Sequence, residues 1–379
     1  MKGPARYFDH NASAPARPEV CEAVCEALAV TAGNPSSMHS EGRRSAALLD
    51  DARRRIAAVA GVTSSRIVFT SGATEANNLA LRGALEHRPG LRLISSTIEH
   101  ASILATLDDL AAHGADVVIV EVDADGRPDY EALARAASER FSLVSLGWAN
   151  GESGHVADVG AILRAVSPAA MVHLDAAQMF GRLPIRMQQE GVDMISLSAH
   201  KIGGPTGIGV LIAPEGEEIE ACITGGPHEG GRRAGTENVP AVLGMSVAVS
   251  LAAEQVESEA LRLRTMREEL WNTLSARIPG LHRISPPDGL PNTLTLAVAD
   301  ATSDVLIAGL DLEGYCVSSG SACAAASPER SHVMEALGLD PAYRDGVVRI
   351  SMGWSSQESE IAGLAAAFER VLDRVRVGR

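Results

Sequence analysis

Positive charge in this sequence is carried almost without lysine: of 33 basic side chains only two, Lys2 and Lys201, are lysine. Other absences narrow the field. There is no surplus of base, since 48 acidic residues leave a formal net charge of -15, which argues against non-specific binding to nucleic acid or to an anionic membrane surface. No apolar stretch reads as a membrane span, and Met1–Arg6 lacks the apolar core of a signal peptide, so a cytosolic protein with no membrane attachment is expected. The five cysteines, Cys21, Cys25, Cys222, Cys316 and Cys323, are odd in number and scattered. They do not form a disulfide framework, and no Cys/His spacing matches a zinc site, so no metal is expected. Cys21 and Cys25 stand one helical turn apart and read as small apolar residues on a helix face. With 46% hydrophobic and 21% charged residues over 379 positions, the chain can bury a core in one large domain or two of ordinary size.

The scarcity of lysine makes Lys201 the first candidate residue. Arginine stays protonated, whereas a lysine amine loses its proton readily when desolvated and can then attack a carbonyl. Lys201 follows the apolar stretch Val192–Leu197 and a Ser198-Ala199-His200 turn, and runs into Gly203-Gly204-Pro205-Thr206-Gly207-Ile208-Gly209. A lysine at a strand end, with glycine backbone beyond it that permits close approach, is placed for Schiff-base chemistry.

From about Asp50 onward, short apolar runs alternate with amphipathic ones. Strand character is predicted at Ile67–Phe69, Leu91–Ser95, Val117–Val120, Leu143–Leu146, Met171–Leu174, Met194–Leu197 and Val210–Ile212. Helical patterns fall between several of them, at Ala76–Leu85, Ile103–Ala112, Tyr130–Ala137 and Val159–Val166. That alternation predicts an α/β protein with a mainly parallel sheet covered by helices, with ligands outside the carboxyl ends of its strands. Beyond Pro240 the pattern changes to two helical stretches, Val239–Ala253 and Ser258–Ile278, then strand-like Asn292–Val298 and Tyr315–Ser318. A last helix, Ser356–Val375, is expected behind a capping box in Ser355-Ser356-Gln357-Glu358. The division expected is a large domain over residues 14–255 and a smaller α/β domain formed by residues 1–13 and 256–379.

Five short segments carry candidate chemistry. Thr70-Ser71-Gly72-Ala73-Thr74-Glu75, between a strand and a helix, offers free N–H groups and a hydroxyl to a phosphate, although helix capping by threonine explains it as well. Asp175, at a strand end in His173-Leu174-Asp175-Ala176-Ala177-Gln178, is either a helix cap or the partner of a pyridinium nitrogen. His100 ends Ser96-Thr97-Ile98-Glu99-His100, where an imidazole can stack on a ring or move protons. Cys323 lies in Ser318-Ser319-Gly320-Ser321-Ala322-Cys323-Ala324-Ala325-Ala326-Ser327, a small-residue stretch read as a mobile loop that exposes its thiol. Arg349, flanked by Val347, Val348 and Ile350, is placed to clamp a carboxylate.

In this order the pieces resemble the cysteine desulfurases of the NifS/IscS type, within the class V aminotransferase group of fold-type I pyridoxal phosphate enzymes. The resemblance covers nearly the whole chain. It rests on Tyr7-Phe8-Asp9-His10-Asn11-Ala12, Gly33-Asn34-Pro35-Ser36-Ser37, Phe69 to Asn78, Ser198-Ala199-His200-Lys201, Arg233-Ala234-Gly235-Thr236-Glu237-Asn238 and Ser318 to Cys323.

The resemblance implies a fold-type I pyridoxal 5'-phosphate-dependent transferase acting on L-cysteine. By it, Lys201 forms the Schiff base with the cofactor, Asp175 pairs with the pyridine nitrogen, His100 stacks on the ring and Gln178 lies near the phenolic oxygen. Ala73, Thr74, Ser198 and His200 hold the phosphate, with Thr236 reaching in from the second subunit of a homodimer. Asn34 and Arg349 take the substrate carboxylate, and Cys323 accepts sulfur as a persulfide for a sulfur-acceptor protein. Two positions depart from the family pattern. Asn150-Gly151-Glu152-Ser153-Gly154 stands where Asn-Asn-Glu-x-Gly is usual, and Gly230 stands where an arginine is common. The alternatives are a selenocysteine lyase or another class V enzyme, and a catalytically weak sulfur-delivery subunit.

Overall fold

The computed structural model describes residues 6–138, 141–185, 191–216, 218–299, 301–320 and 331–377. Its first part runs β1 (Arg6–Tyr7), α1 (Pro18–Val30), α2 (Ser40–Ala60), β2 (Ile67–Thr70), α3 (Ala73–His87), β3 (Arg92–Ser96), α4 (Ala101–Ala112), β4 (Val117–Val120), α5 (Tyr130–Ser138), β5 (Ser142–Gly147), α6 (Val159–Ala165), β6 (Met171–Asp175), β7 (Met194–Ser198) and β8 (Gly209–Ile212). All strands but β1 form a seven-stranded sheet in the order β2-β8-β7-β6-β5-β3-β4. Five neighbours, β7 to β4, run parallel, while β8 is antiparallel to both β7 and β2. Every residue of β2, β7 and β8 is buried, which is why these strands read as unbroken apolar runs rather than as alternating ones. The carboxyl ends of β2, β3, β5, β6 and β7 therefore point to one edge of the sheet.

The second part runs α7 (Val239–Arg277), β9 (Leu281–Arg283), β10 (Thr293–Val298), α8 (Ser303–Leu312), β11 (Tyr315–Cys316), α9 (His332–Ala336), β12 (Val347–Ser351) and α10 (Ile361–Val377). An antiparallel sheet of order β12-β10-β9 carries its own core, in which Phe8, Leu294, Leu296, Val348, Ile350 and Phe368 pack together. The N-terminal segment is sewn to this part, because β1 pairs with β11 and Asp9 bridges to Ser351.

Four expectations change on the structure. The two helices expected after Pro240 are one helix of 39 residues, α7. Glu254-Gln255-Val256-Glu257-Ser258-Glu259 looks like a linker but contains neither glycine nor proline, so the helix continues through it. Up to Ala252 the helix packs into the large core, and from Leu263 it packs into the second one. The polar stretch is where it crosses. By length and composition α7 also meets the requirement for a membrane span, contrary to the sequence reading, yet half of its most apolar window is buried inside the fold. The final capping box is formed two residues later than expected, between Gln357 and Glu360. Ser355 and Ser356 are engaged elsewhere, with His10 Nε2 and the Gly353 N–H. Finally, α1 buries Val20 and Ala27 and leaves Cys21 and Cys25 exposed.

Candidate active site

The common edge of the large sheet opens into a cavity of about 810 Å³. Its walls bring together Ala73, Thr74, His100, Asp175, Gln178, Ser198, His200, Lys201 and Arg349, which the sequence scatters over 277 positions, from 73 to 349.

Each is positioned by local structure. The cap of α3 is Gly72, which has no side chain to occupy the first-turn N–H groups beside Ala73 and Thr74. A Cβ on Gly72 would lie 3.7 Å from Ser198 Oγ, so the hydroxyl at the end of β7 faces this turn. His200 Nδ1 lies 3.2 Å from Ser13 Oγ, and burial, with the charges of Lys201 and Arg182, pushes its imidazole down to about 4. It is neutral at pH 7. Lys201 Nζ donates to the carbonyls of Asn11 (2.6 Å) and Ala12 (3.0 Å).

A polar chain links the cavity floor. Asp175, at the end of β6, accepts from Asn77 Nδ2 (2.8 Å) and from the Ala177 N–H (2.9 Å). The same Asn77 amide reaches Ser102 Oγ at 2.8 Å, and Ser102 Oγ lies 2.7 Å from His100 Nδ1. His100 Nδ1 also accepts from the Ser102 N–H at 3.1 Å, so it caps α4 and leaves the ring proton on Nε2. Asn77 and Ser102 were not singled out in the sequence. Their signal was spacing: Asn77 follows Thr74 by one turn on the inner face of α3.

Glu99 was also missed, although it adjoins His100. Its carboxylate accepts from Ser96 Oγ at 2.6 Å and from the Gly147 N–H. Burial, reinforced by the charge of Asp175, pushes the carboxyl up to about 7 against those two hydrogen bonds. An acid raised in the folded state stabilises it fully below the unfolded value of about 4.5, and that contribution is lost as pH rises through about 7. Glu99→Gln removes this dependence. The melting temperature of the variant relative to the parent is expected to climb between about pH 5 and about pH 8, and parallel curves would show that Glu99 is not raised.

Two expected site residues lie elsewhere. Asn34 and Thr236 do not line this chain's cavity. Asn34 sits exposed on the α1–α2 connection, its Oδ1 accepting from the Ser36 N–H and its Nδ2 3.5 Å from Thr236 Oγ1. Cys323 lies outside the described residues, while Gly320 and Ser331 on either side of its stretch both line the cavity.

The Aminotransferase class-V family model matches residues 6–364. The chain belongs to that family. This class-V chain is 39% identical over 375 residues to a protein named cysteine desulfurase from Cereibacter sphaeroides, covering 98% of this chain and 96% of the relative. A solved NifS-like protein superposes with a TM-score of 0.91 at 32% identity, covering 97% of this chain and 99% of that one. SspA, solved in complex with cysteine, superposes with a TM-score of 0.80 at 31% identity over 93% of this chain and 100% of that one. The architecture of this class-V chain is thus the fold-type I α/β fold, with its mainly parallel sheet.

Its departure at Gly151 has a packing consequence. A Cβ there would stand 2.7 Å from Gln178 Nε2 and 2.8 Å from its Cδ, so the Gln178 carboxamide fills the volume that a larger residue at 151 would need. The Asn150 side chain next to it is engaged with backbone: Nδ2 donates to the Ile98 carbonyl and Oδ1 accepts from the Glu152 and Ser153 N–H groups.

Proposed function

We propose that this chain is a pyridoxal 5'-phosphate-dependent L-cysteine desulfurase, converting L-cysteine to L-alanine and passing the sulfur through Cys323 to an acceptor protein. One observation carries the reading. Lys201, one of two lysines in the chain, shares a cavity with an uncapped helix N-terminus, a buried carboxylate at a strand end and a buried arginine. The relative's name and the cysteine in the SspA complex favour cysteine as substrate.

The residues present fit the cofactor. The N–H groups at Ala73 and Thr74, the Thr74 hydroxyl, Ser198 and His200 would hold its phosphate, where the positive end of α3 favours an anion. Asp175 would hold the proton of the ring nitrogen, and His100 would stack on the ring. The half-buried Gln178, whose buried Oε1 has no hydrogen-bond partner among the described residues, lines the cavity where a polar group of the cofactor would meet it. When bound, the cofactor supplies an electron sink for charge left at the substrate's α-carbon.

The chain's own groups do the rest. Lys201 would tether the cofactor and, once released, take the proton from the substrate's α-carbon and return one. Arg349 would orient the substrate carboxylate. Cys323 as thiolate would attack the substrate sulfur: a sulfur–sulfur bond forms, the carbon–sulfur bond breaks, and its electron pair takes up a proton to give alanine. The exposed Asn34–Thr236 pair serves a site only if carried there by a second copy, which makes the working unit a homodimer.

With cofactor and a thiol reductant, the purified protein should release alanine and sulfide from L-cysteine in equal amounts. Amino-group transfer to a keto acid without sulfide would overturn the reading.

A further inference from the structure

Arg349 sits on β12 at 3% exposure, and its guanidinium is already engaged. One terminal nitrogen donates to the Gly151 carbonyl at 3.2 Å and to the Gly320 carbonyl. The other lies 2.8 Å from Asp9 Oδ1. Nε is buried and has no acceptor among the described residues. A carboxylate that binds an arginine through two parallel N–H groups needs Nε together with a terminal nitrogen, or both terminal nitrogens. Every such edge but for Nε is shared with an acceptor already in place, and one of those acceptors is itself a carboxylate.

Asp9 cannot easily withdraw. Its backbone is pinned on both sides, since the Ser351 N–H donates to the Phe8 carbonyl at 2.8 Å and the His10 N–H donates to the Ser351 carbonyl at 3.1 Å. Tyr7 adds a bond to the Asp9 carbonyl at 3.1 Å. A second carboxylate arriving at Arg349 therefore meets a fixed like charge beside it.

We propose that Asp9 is a positioning residue whose carboxylate competes at Arg349 with the α-carboxylate of the amino acid, weakening the hold on substrate and product alike. The inference rests on the reading that Arg349 receives that carboxylate. Because alanine keeps the carboxylate of the cysteine it came from, the competition favours release of product.

The test is calorimetric titration of L-alanine into the holoenzyme. Asp9→Asn removes the charge and keeps an oxygen that accepts from the arginine, so alanine should bind roughly tenfold more tightly, with the KM for L-cysteine falling in step. Asp9→Glu should restore affinity toward that of the parent. If Asp9→Asn does not fold, Asp9→Ser removes the same charge and reads the same quantity. A folded, neutral variant that binds alanine no better than the parent would overturn the proposal and leave Asp9 a structural tie. Arg349→Lys separates the underlying reading: undiminished alanine affinity in that variant would show that Arg349 does not take the carboxylate, whatever Asp9 does.

Discussion

Replacing Lys201 with alanine is expected to abolish the absorbance of the covalently held cofactor and to lower turnover by roughly 10⁴-fold or more, since it removes both the tether and the proton-transferring amine. The fold should survive. Lys201 leaves β7 through a short 3-10 turn, Ala199–Ile202, closed by Gly203 at a φ of 80°, and none of that backbone depends on the amine. The groups that receive Nζ are the carbonyls of Asn11 and Ala12, and Asn11 O retains a bond from Gln178 Nε2 at 2.9 Å. Arginine at 201 should not rescue, because its guanidinium stays protonated. The composition makes the check unusually clear: the one other lysine is Lys2, in the first five residues, which lie outside the described structure. Borohydride reduction of the parent followed by peptide mapping should place the cofactor on Lys201, and a label confined to Lys2 would reject that assignment.

The sheet was legible in the sequence because its strands, apart from the edge strand β4, are largely buried on both faces. Each of the seven expected apolar runs from Ile67 to Ile212 became a strand of the one sheet, with ends displaced by a residue or so. What the apolar pattern cannot carry is direction. Nothing in Val210–Ile212 distinguishes the antiparallel β8 from its parallel neighbours. The same limit explains α7, where a change of core looked like a break in the helix, and the exposed Cys21 and Cys25, where size and spacing gave a face but not what covers it.

For the site, residues at strand ends and helix starts were legible, and so was Arg349 in its apolar strand, whereas a residue that ties distant segments together behind the cavity was not. Arg182 is the clearest case. Buried among the His10 carbonyl (3.3 Å), Asn11 Oδ1 (3.3 Å) and the Gln178 carbonyl (3.0 Å), it ties the N-terminal segment to the loop after β6. Burial, helped by the charge of Arg349, pushes it down to about 10, still protonated at pH 7. Its sequence surroundings, Gly181 and Leu183, give no hint of that function, because the partners that make the tie, His10 and Asn11, lie more than 170 positions away. The Asp9–Arg349 pair is the same kind of contact over 340 positions. Beside Gly151 the limit is of another kind: the sequence leaves open what Asn150 bonds, and at a turn this asparagine bonds nearby backbone N–H groups.

Cys323→Ser is expected to keep the bound cofactor and to bind L-cysteine, yet to release no sulfide. The residues assigned to the cofactor come from the start of α3, the ends of β3, β6 and β7 and the segments just beyond them, so the substitution leaves them in place. Gly320 and Ser331, which bound the stretch, keep their ties to the Arg349 guanidinium and to Glu152 Oε2. The chemistry itself fails, because transfer needs a thiolate that forms a sulfur–sulfur bond as the carbon–sulfur bond of the substrate breaks, and a serine hydroxyl is neither ionised at pH 7 nor able to hold sulfane sulfur. No other described cysteine can substitute. Cys21, Cys25, Cys222 and Cys316 are all absent from the cavity wall. Burial raises the Cys222 thiol, and burial together with the charge of Asp311 raises that of Cys316, so both are less ionised than an ordinary cysteine. Alanine and sulfide measured together, with radiolabelled cysteine to trap any sulfur left on the protein, decide the matter. Sulfide at the parent rate, or label on a cysteine other than 323, would remove Cys323 from the reaction and with it the persulfide route.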